Sequence, residues 1–500
     1  MQLYPLHTSF TAGEHLDLAV QPRCRFSIAI YQQQNEESLI SVGGVIATGT
    51  RDVTATLIDG KYVFESSRER KPVRFDSDWN WSTITVKPET EELESGAYAA
   101  IAYEVGPNGE PLTDLGRRCA ARLPVYAGPP DSDSMALIVI RPRSPAASIA
   151  YVVPIATYHA YNSIGGGCFY GDPIYRTHPA LKVSLLRPGG GLGIQIGHAE
   201  DPYDRRSPRQ HFTHWDAKFI RWLRDRHFAC DFYTDVDLHR GTDLDLTQYR
   251  CMLSVGHHEY WSQQMRDHVA RFIAGGGNLA VFSGNTCYRP IDFGANEDPQ
   301  TIKEMNRLGD SWPDFNESDL IGLSYGYGGG TYGVWGRFRR KWVKTGREPI
   351  GFTVQRADHW AFAGTHLKDG QTFGAEDHLV GYEADGVPPD SNGFTTLANT
   401  ASLVGWEVGG AGAMGTFKAD LGGGSNQGMV FNCGTTDWPR ILGDSGASSH
   451  AIVSQITDNV IRKFSVVADS DASRENLARD DPFASSGRDE NRVPIDAGNA

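Results

Sequence analysis

The sequence lacks a surplus of basic residues and lacks any long apolar run. Asp and Glu outnumber Lys and Arg by 61 to 47, which gives a formal charge of −14. A nucleic-acid-binding surface needs clustered positive charge, and binding to an anionic membrane surface relies on such charge too. No apolar run approaches the roughly 20 residues that a membrane-spanning helix needs. We therefore expect neither nucleic acid nor a membrane as partner, and a small molecule remains the expected ligand.

Cysteine is scarce and widely scattered. The seven residues are Cys24, Cys119, Cys168, Cys230, Cys251, Cys287 and Cys433. No two of them form a CxxC pair, so a zinc or iron–sulfur site of that type is not expected. An odd number of dispersed thiols is typical of a reducing compartment. The N-terminal run MQLYPLHTSFTAGEHLDL also lacks the basic segment and apolar core of a signal peptide. The sequence therefore predicts a cytoplasmic protein.

The chain divides into three parts by pattern. Residues 1–130 contain short strand-like runs separated by Gly, Pro, Asn and Asp, which predicts an immunoglobulin-like β-sandwich. The run 126–135 is rich in Pro, Ser and Asp and reads as a linker. Residues 136–465, beginning with the strand ALIVIRP, alternate strands with helices. That order predicts a doubly wound α/β domain of the flavodoxin-like or glutamine-amidotransferase-like class. Residues 468–500 have few large apolar side chains and are expected to be a disordered tail.

One βαβ unit stands at the centre of the second part. The apolar run Cys251–Val255 predicts a buried strand, and Ser262 is a good N-cap for the helix that follows. Gly275–Gly277 would end this helix, and Leu279–Phe282 predicts a second strand. Right-handed crossover units of this kind place their two strands side by side and parallel.

Polar residues follow both strands of this unit. The first strand delivers the run GHHEYW, and the second ends at Ser283-Gly284-Asn285. In open α/β sheets, ligands bind at the carboxyl ends of the strands. A functional site is therefore expected where these two runs meet.

Three interpretations of GHHEYW compete. A zincin would need HExxH, and the run from His258 reads HEYWS, without the second histidine. An amidotransferase-like enzyme would place a cysteine at the turn after the strand, and none stands there. The third interpretation is a metal site of carboxylate and phenolate oxygens, a donor set that suits ferric iron. The glycine-rich loop after the strand SIAYVVP supplies Tyr158, Tyr161 and Tyr170. For any one of these tyrosines alone, packing in a long loop is the favoured role, and the metal site is supported only when the clusters are taken together.

Several runs occur together and in order. They are AYN-x-x-GGG-x-x-Y, VSLLRP, FIRWL, DFYTDVDLH, GHHEYWS, GGGNLAVFSGN, GTHLKDGQTFG, LVGYEADG and VFNCGTTDW. Together they resemble the catalytic domain of N,N-dimethylformamidase large-subunit-like proteins, over roughly residues 140 to 465. The resemblance implies an amidohydrolase with one mononuclear Fe³⁺ held by two tyrosines and a glutamate. Carried over to this chain, the ligands are Glu259, Tyr170 and Tyr161, with Tyr158 as a competitor for the last.

The same resemblance places His257, Asn285 and Glu383 near the metal. Glu383 could move a proton from the attacking water to the leaving amine. His257 and Asn285 could donate hydrogen bonds to the developing oxyanion. The alternatives are a turn position for Glu383 and a left-handed turn for Asn285. His258, which stands where a proline is common in the family, is expected to face solvent.

The expected function is hydrolysis of the C–N bond of a small amide, with or without an N-substituent. A homo-oligomer is expected, and a small companion subunit is compatible with the family. Two alternatives stay open. A non-catalytic binding protein on the same scaffold would hold no stoichiometric metal, and a zinc-dependent hydrolase would be colourless because Zn²⁺ is d¹⁰.

Overall fold

The structure is a computed structural model, which describes residues 1–466 with gaps. The gaps are 34–38, 44, 68, 70–72, 90–92, 126–133, 171–177, 190, 194–208, 295–301, 314–315, 330–334, 339–340, 345–349, 381, 390, 402, 404–409 and 422–426. The predicted linker lies mostly, and the predicted tail wholly, outside the described residues.

The described strands and helices are numbered in chain order. The strands are β1 Leu3–Pro5, β2 Phe10–Thr11, β3 Leu16–Val20, β4 Arg25–Gln33, β5 Leu39–Ser41, β6 Val45–Arg51, β7 Val53–Ile58, β8 Lys61–Ser66, β9 Ser82–Pro88, β10 Gly96–Glu104, β11 Met135–Arg141, β12 Ile149–Val153, β13 Lys182–Ser184, β14 Asp231–Thr234, β15 Cys251–Gly256, β16 Tyr260–Ser262, β17 Asn278–Ser283, β18 Arg289–Phe293, β19 Glu304–Arg307, β20 Ser324–Gly329, β21 Trp335–Phe338, β22 Lys341–Lys344, β23 Phe352–Val354, β24 Thr372–Phe373, β25 Ala384–Gly386, β26 Phe394–Asn399, β27 Ala413–Phe417 and β28 Val430–Asn432. The helices are α1 Asp114–Ala120, α2 Ile155–Tyr161, α3 Asp216–Asp225, α4 Asp235–Arg240, α5 Gln263–Ala274, α6 Ser318–Ile321, α7 Trp438–Gly443 and α8 His450–Ser465.

The described residues form a sheet-rich, multidomain structure with some helices. In the N-terminal part, one sheet has the order β1-β3-β9-β6, and a second has the order β2-β11-β10-β4-β8-β7, with β5 beside β4. Apolar side chains of both sheets share one cluster, which includes Leu18 and Ile84 from the first sheet and Phe26 and Ile30 from the second. Two sheets therefore enclose a common core, as expected for this part of the chain. The immunoglobulin-like topology stays a prediction.

Strand β11 forms where it was predicted, but not in the predicted sheet. It was expected to open the α/β part, and instead it pairs with β10 and β2. The physical reason lies in its two apolar faces. Ile138 and Ile140 belong to the core between the N-terminal sheets, whereas Leu137 and Val139 belong to the large second core. A strand that is apolar on both faces carries no sequence signal for which sheet it joins.

The central sheet has nine strands in the order β14-β12-β15-β17-β28-β27-β26-β23-β24. The first five are parallel neighbours, and those from β28 to β24 run antiparallel to their neighbours. The predicted βαβ unit is confirmed, because β15 and β17 are adjacent and parallel. The Ser262 side chain accepts a hydrogen bond from the Met265 amide and caps α5, as predicted. The doubly wound arrangement of the whole part stays a prediction.

Gly256 makes the turn that carries the chain from β15 into the polar run. Its φ is +72°, and a Cβ built there would lie 2.5 Å from the Trp215 Cβ. The left-handed backbone and the close approach of Trp215 therefore both require glycine. Gly60 offers a comparison, since its φ is +75° and a Cβ would meet no atom within 4 Å.

We predict that Gly256→Ala lowers the free energy of unfolding by roughly 2–5 kcal/mol, the sum of a left-handed backbone penalty and an overpacked contact. Gly60→Ala should lower it by roughly 1–2 kcal/mol, because it meets the backbone penalty alone. Urea unfolding of both variants measures the difference. Equal losses in the two variants would contradict the close packing of Gly256 against Trp215.

Candidate functional site

The site lies at the carboxyl ends of three neighbouring parallel strands. Strand β12 leads into α2, which ends at Tyr161, and β15 leads into residues 257–260. Strand β17 ends at Ser283, directly before Asn285. Because β12, β15 and β17 lie side by side, their loops meet at one edge of the sheet. Residues that are far apart in the sequence therefore come close together at this edge of the sheet.

Two phenols converge on the carboxylate of Glu259. The Tyr161 hydroxyl donates to Oε2 of Glu259 at 2.8 Å, and the Tyr170 hydroxyl donates to Oε1 at 2.7 Å. The two phenol oxygens are 3.0 Å apart, and the rings stack with centroids separated by 4.3 Å. Glu259 is 1% exposed. The structure therefore brings together the three residues predicted as metal ligands.

The chemistry of these oxygens fits a hard cation. Burial raises the pKa of both phenols, and the neighbouring Glu259 charge raises the pKa values further. Burial also raises the pKa of Glu259. These three acidic groups cannot all lose their protons unless positive charge compensates them. Fe³⁺ bound to phenolate and carboxylate oxygens would supply that charge. No group of three or more His, Cys, Asp or Glu side chains able to hold a metal occurs among the described residues.

Tyr158, the predicted competitor of Tyr161, lies elsewhere. Its hydroxyl donates to Oδ2 of Asp216, and the Tyr151 hydroxyl donates to Oδ1 of the same carboxyl at 2.7 Å. Tyr158 and Tyr161 are both buried on α2, but only the Tyr161 phenol contacts Glu259. Tyr158 is thus a partner of a second buried carboxyl and is separate from the candidate metal ligands.

The three predicted catalytic residues lie beside Glu259. Nε2 of His257 is 2.7 Å from Oε2 of Glu383 and 3.5 Å from Oε2 of Glu259. Nδ2 of Asn285 donates to Oε2 of Glu383 at 3.1 Å. Burial alone would lower the pKa of His257, but the Glu383 and Glu259 carboxylates raise it. All six predicted residues thus belong to one buried network.

Asn285 also adopts the left-handed turn that was the alternative prediction for this residue. Its φ is +53°, and its backbone amide donates to Oδ1 of Asp385 at 2.7 Å. Burial raises the pKa of Asp385 to about 8. The left-handed turn and the hydrogen bond from the Asn285 side chain to Glu383 therefore occur together.

His258 does not face solvent, contrary to expectation. It is fully buried, with Nδ1 3.0 Å from the Ser254 hydroxyl and its ring 4.8 Å from that of Trp261. Burial and the nearby His257 lower its pKa to about 3. After the tight turn at Gly256, the His258 amide donates to the Ser283 hydroxyl at the end of β17 at 3.3 Å. This tertiary contact overrides the ordinary exposure of a polar loop residue.

Sequence reasoning missed two residues of this network. Oε1 of Gln210 accepts from Nδ1 of His257 at 2.6 Å, and Nε2 of Gln210 donates to the Tyr382 hydroxyl at 3.0 Å. The Tyr260 hydroxyl donates to that of Tyr170 at 2.8 Å. Tyr260 stands inside GHHEYW and could have been considered with the other tyrosines. Gln210 stands in a run with no recognisable pattern.

Arg187 holds the loop that separates the two tyrosines. Its fully buried guanidinium donates to backbone carbonyls alone, those of His159, Asn162, Ile164, Gly167 and Ser184. Burial lowers the pKa of Arg187 to about 10. Because three of these carbonyls, those of Asn162, Ile164 and Gly167, belong to the segment between Tyr161 and Tyr170, the arginine of the VSLLRP run helps to hold the two phenols in place.

Comparison with known proteins gives one family match. The family described as N,N-dimethylformamidase beta subunit-like, C-terminal, matches residues 49–451. No curated protein matches the chain. Among solved structures, the GH42 β-galactosidase Gan42B from G. stearothermophilus is 11% identical, with a TM-score of 0.33, over 64% of this chain and 30% of that one. A β-galactosidase from Rahnella sp. R3 is 9% identical, with a TM-score of 0.33, over 70% and 34%. The chain spans about a third of the length of these enzymes.

His211, next to Gln210, allows a test of burial near the site. It is 1% exposed, and burial lowers its pKa from 6.5 to about 3. Its Nδ1 accepts from the Thr213 amide at 3.2 Å. Between pH 3 and 6.5 the unfolded chain therefore binds a proton that the folded chain does not, so stability falls as pH falls through this window.

We predict that the wild-type protein loses about 2 kcal/mol of unfolding free energy relative to His211→Asn between pH 7 and pH 5. Asn keeps an acceptor near the Nδ1 position and does not titrate. Urea unfolding of both proteins at the two pH values gives the comparison. A difference that does not change with pH would show that His211 titrates normally in the folded chain.

Proposed function

The chain belongs to the N,N-dimethylformamidase beta subunit-like family over residues 49–451, and we propose on this premise that it hydrolyses the C–N bond of a small amide. The observation that carries the proposal is the placement of the His257–Glu383 pair, 2.7 Å apart, beside the carboxylate that collects two phenols. Acid–base groups and a hard-cation ligand set within one buried network suit the hydrolysis of an unactivated amide.

Tyr161, Tyr170 and Glu259 are the proposed ligands of a mononuclear Fe³⁺. When bound, the ion would supply a Lewis acid and the positive charge that compensates the three deprotonated groups. Phenolate ligands neutralise much of the ferric charge, which favours this use over redox chemistry. Arg289 adds positive charge nearby, with Nε 3.5 Å from Oε1 of Glu259.

Glu383 is the proposed base and acid. It takes a proton from water as the water oxygen adds to the acyl carbon, and it returns that proton to nitrogen as the C–N bond breaks. The products are a carboxylic acid and an amine, so the atoms of amide and water are conserved. His257, with its Nδ1 hydrogen bonded to Gln210, keeps Nε2 directed at the carboxylates. His257 and Asn285 are the proposed donors to the oxygen that gains charge.

The family match and the cysteines also bear on the assembly and the location of the proposed enzyme. The family name describes a subunit, so we propose an oligomer that a small companion chain could join. The structure describes all seven cysteines, and none of them forms a disulfide, which supports the proposal of a reducing, cytoplasmic location. None of the described helices has the length and apolar character to cross a membrane.

We predict about one iron per chain in protein purified without chelators, with a visible band from phenolate-to-iron charge transfer. Glu259→Gln, Tyr161→Phe and Tyr170→Phe should each lose most of the iron and the band, because each removes a ligand. Tyr158→Phe is the matched control, since Tyr158 lies on the same helix but contacts Asp216. Elemental analysis and a visible spectrum measure both quantities.

The other outcomes of this experiment identify the alternatives. Zinc without colour would favour a zinc-dependent hydrolase. Protein without stoichiometric metal, in which Glu259→Gln changes nothing, would favour a non-catalytic binding protein.

We predict that Glu383→Gln lowers kcat for hydrolysis of small amides by roughly 10²- to 10⁴-fold, the usual contribution of a positioned acid–base group. Its iron content should match that of the wild-type protein, because Glu383 is not a proposed ligand. Glu304→Gln, a substitution at a partly exposed carboxylate of β19, serves as control. Full activity in Glu383→Gln would show that another group moves the proton.

A further inference from the structure

Tyr260 is the third phenol of the site, and the chemistry proposed above does not use it. It follows Glu259 directly and is fully buried. Its hydroxyl lies 2.8 Å from the Tyr170 hydroxyl and donates to it. Among the described residues, this is the one hydrogen bond that the Tyr260 hydroxyl makes, so its donor is committed to Tyr170.

The backbone and ring of Tyr260 are both held in place. Its amide donates to Oγ1 of Thr157 at 3.3 Å, and β16 pairs Tyr260 with Arg289 of β18. Its ring packs 5.3 Å from that of Phe169, the residue before Tyr170. These contacts leave the hydroxyl little freedom to turn away from Tyr170, so the bond is part of the fixed frame of the site.

A cation bound at the site would affect the hydrogen bonds of the three phenols in different ways. Tyr161 and Tyr170 both direct their hydroxyls at Glu259, so these are the protons that a cation on the same oxygens would replace. The Tyr260 proton points at a phenol oxygen and not at the carboxylate. Its hydrogen bond can persist and would then be strengthened by the negative charge on Tyr170.

We infer that Tyr260 is a positioning residue, whose hydroxyl orients the Tyr170 oxygen as a metal ligand and tunes its donor strength. The inference rests on the proposed function, because it requires Tyr170 to be a ligand. Hydrogen-bonding partners of ligands orient them, and their loss typically weakens metal affinity by roughly 10- to 100-fold. A hydrogen bond also lowers the energy of the phenolate electrons, so its removal should reduce the energy of charge transfer to iron.

The test is Tyr260→Phe in the full chain, purified with its iron. This change removes one oxygen and keeps the ring against Phe169. The visible band should move to longer wavelength, and a chelator should remove the iron at concentrations roughly 10- to 100-fold lower than for the wild-type protein. The matched control is Tyr31→Phe, which removes a buried hydroxyl that donates to the Leu123 carbonyl in the N-terminal part. It should change neither quantity.

A second measurement uses a variant that keeps the hydroxyl. 3-Fluorotyrosine in place of Tyr260 makes the hydroxyl a stronger donor without removing any packing, so the band should move to shorter wavelength. Opposite shifts from the two changes would exclude a general disturbance of the fold as their cause.

Three results would overturn the inference. An unmoved band with unchanged resistance to chelator in Tyr260→Phe would show that the bond has no influence on the metal. A loss of band intensity without a shift to longer wavelength would make Tyr260 a ligand itself. Wild-type protein that contains no iron would remove the proposed function, and the inference with it. That last failure is recognised before any variant is made.

Discussion

The carboxylate of Glu259 is the point on which the site depends. It accepts from two phenols, lies 3.5 Å from Nε2 of His257, and is almost wholly buried. Such a concentration of acidic oxygens is unfavourable in a protein interior unless protons or a cation balance the charge. The need for this balance connects the fold, the burial of the tyrosines and the proposed ferric ion. Positive charge from Arg289 alone, at 3.5 Å, would balance one carboxylate and leave no compensation for two phenolates.

The surrounding structure fixes these groups with backbone contacts. Gly256 takes a left-handed turn against Trp215, which sets the direction of the chain from β15 into His257 and Glu259. On the other side, the Arg187 guanidinium gathers the carbonyls of the loop between Tyr161 and Tyr170. Among the described residues, the Arg187 guanidinium donates to backbone carbonyls and does not contact Glu259. Both residues help to hold the Glu259, Tyr161 and Tyr170 oxygens in the positions seen in the structure.

The sequence predicted the parts of the fold that repeat a local pattern. The βαβ unit from Cys251 to Ser283 could be read from apolar runs, an N-cap and glycines. The resemblance of several ordered motifs led to six residues that lie together in the network, but not to Gln210 or Tyr260. Prediction of the structure was weaker where contacts between residues far apart in the sequence determine it. The apolar faces of β11 did not say which sheet it joins, and α2 offered both Tyr158 and Tyr161, which only the positions of Asp216 and Glu259 distinguish. The burial of His258 and the role of Gln210 depend on tertiary contacts that leave no mark on neighbouring sequence.

The most direct test of the central claim is an anomalous difference map at the iron absorption edge, from crystals of protein purified without chelators. The account predicts one strong peak per chain, within bonding distance of the Tyr161, Tyr170 and Glu259 oxygens. A map without a peak at these oxygens, with both phenols still hydrogen bonded to Glu259, would contradict the account and leave the cluster as a protonated structural network.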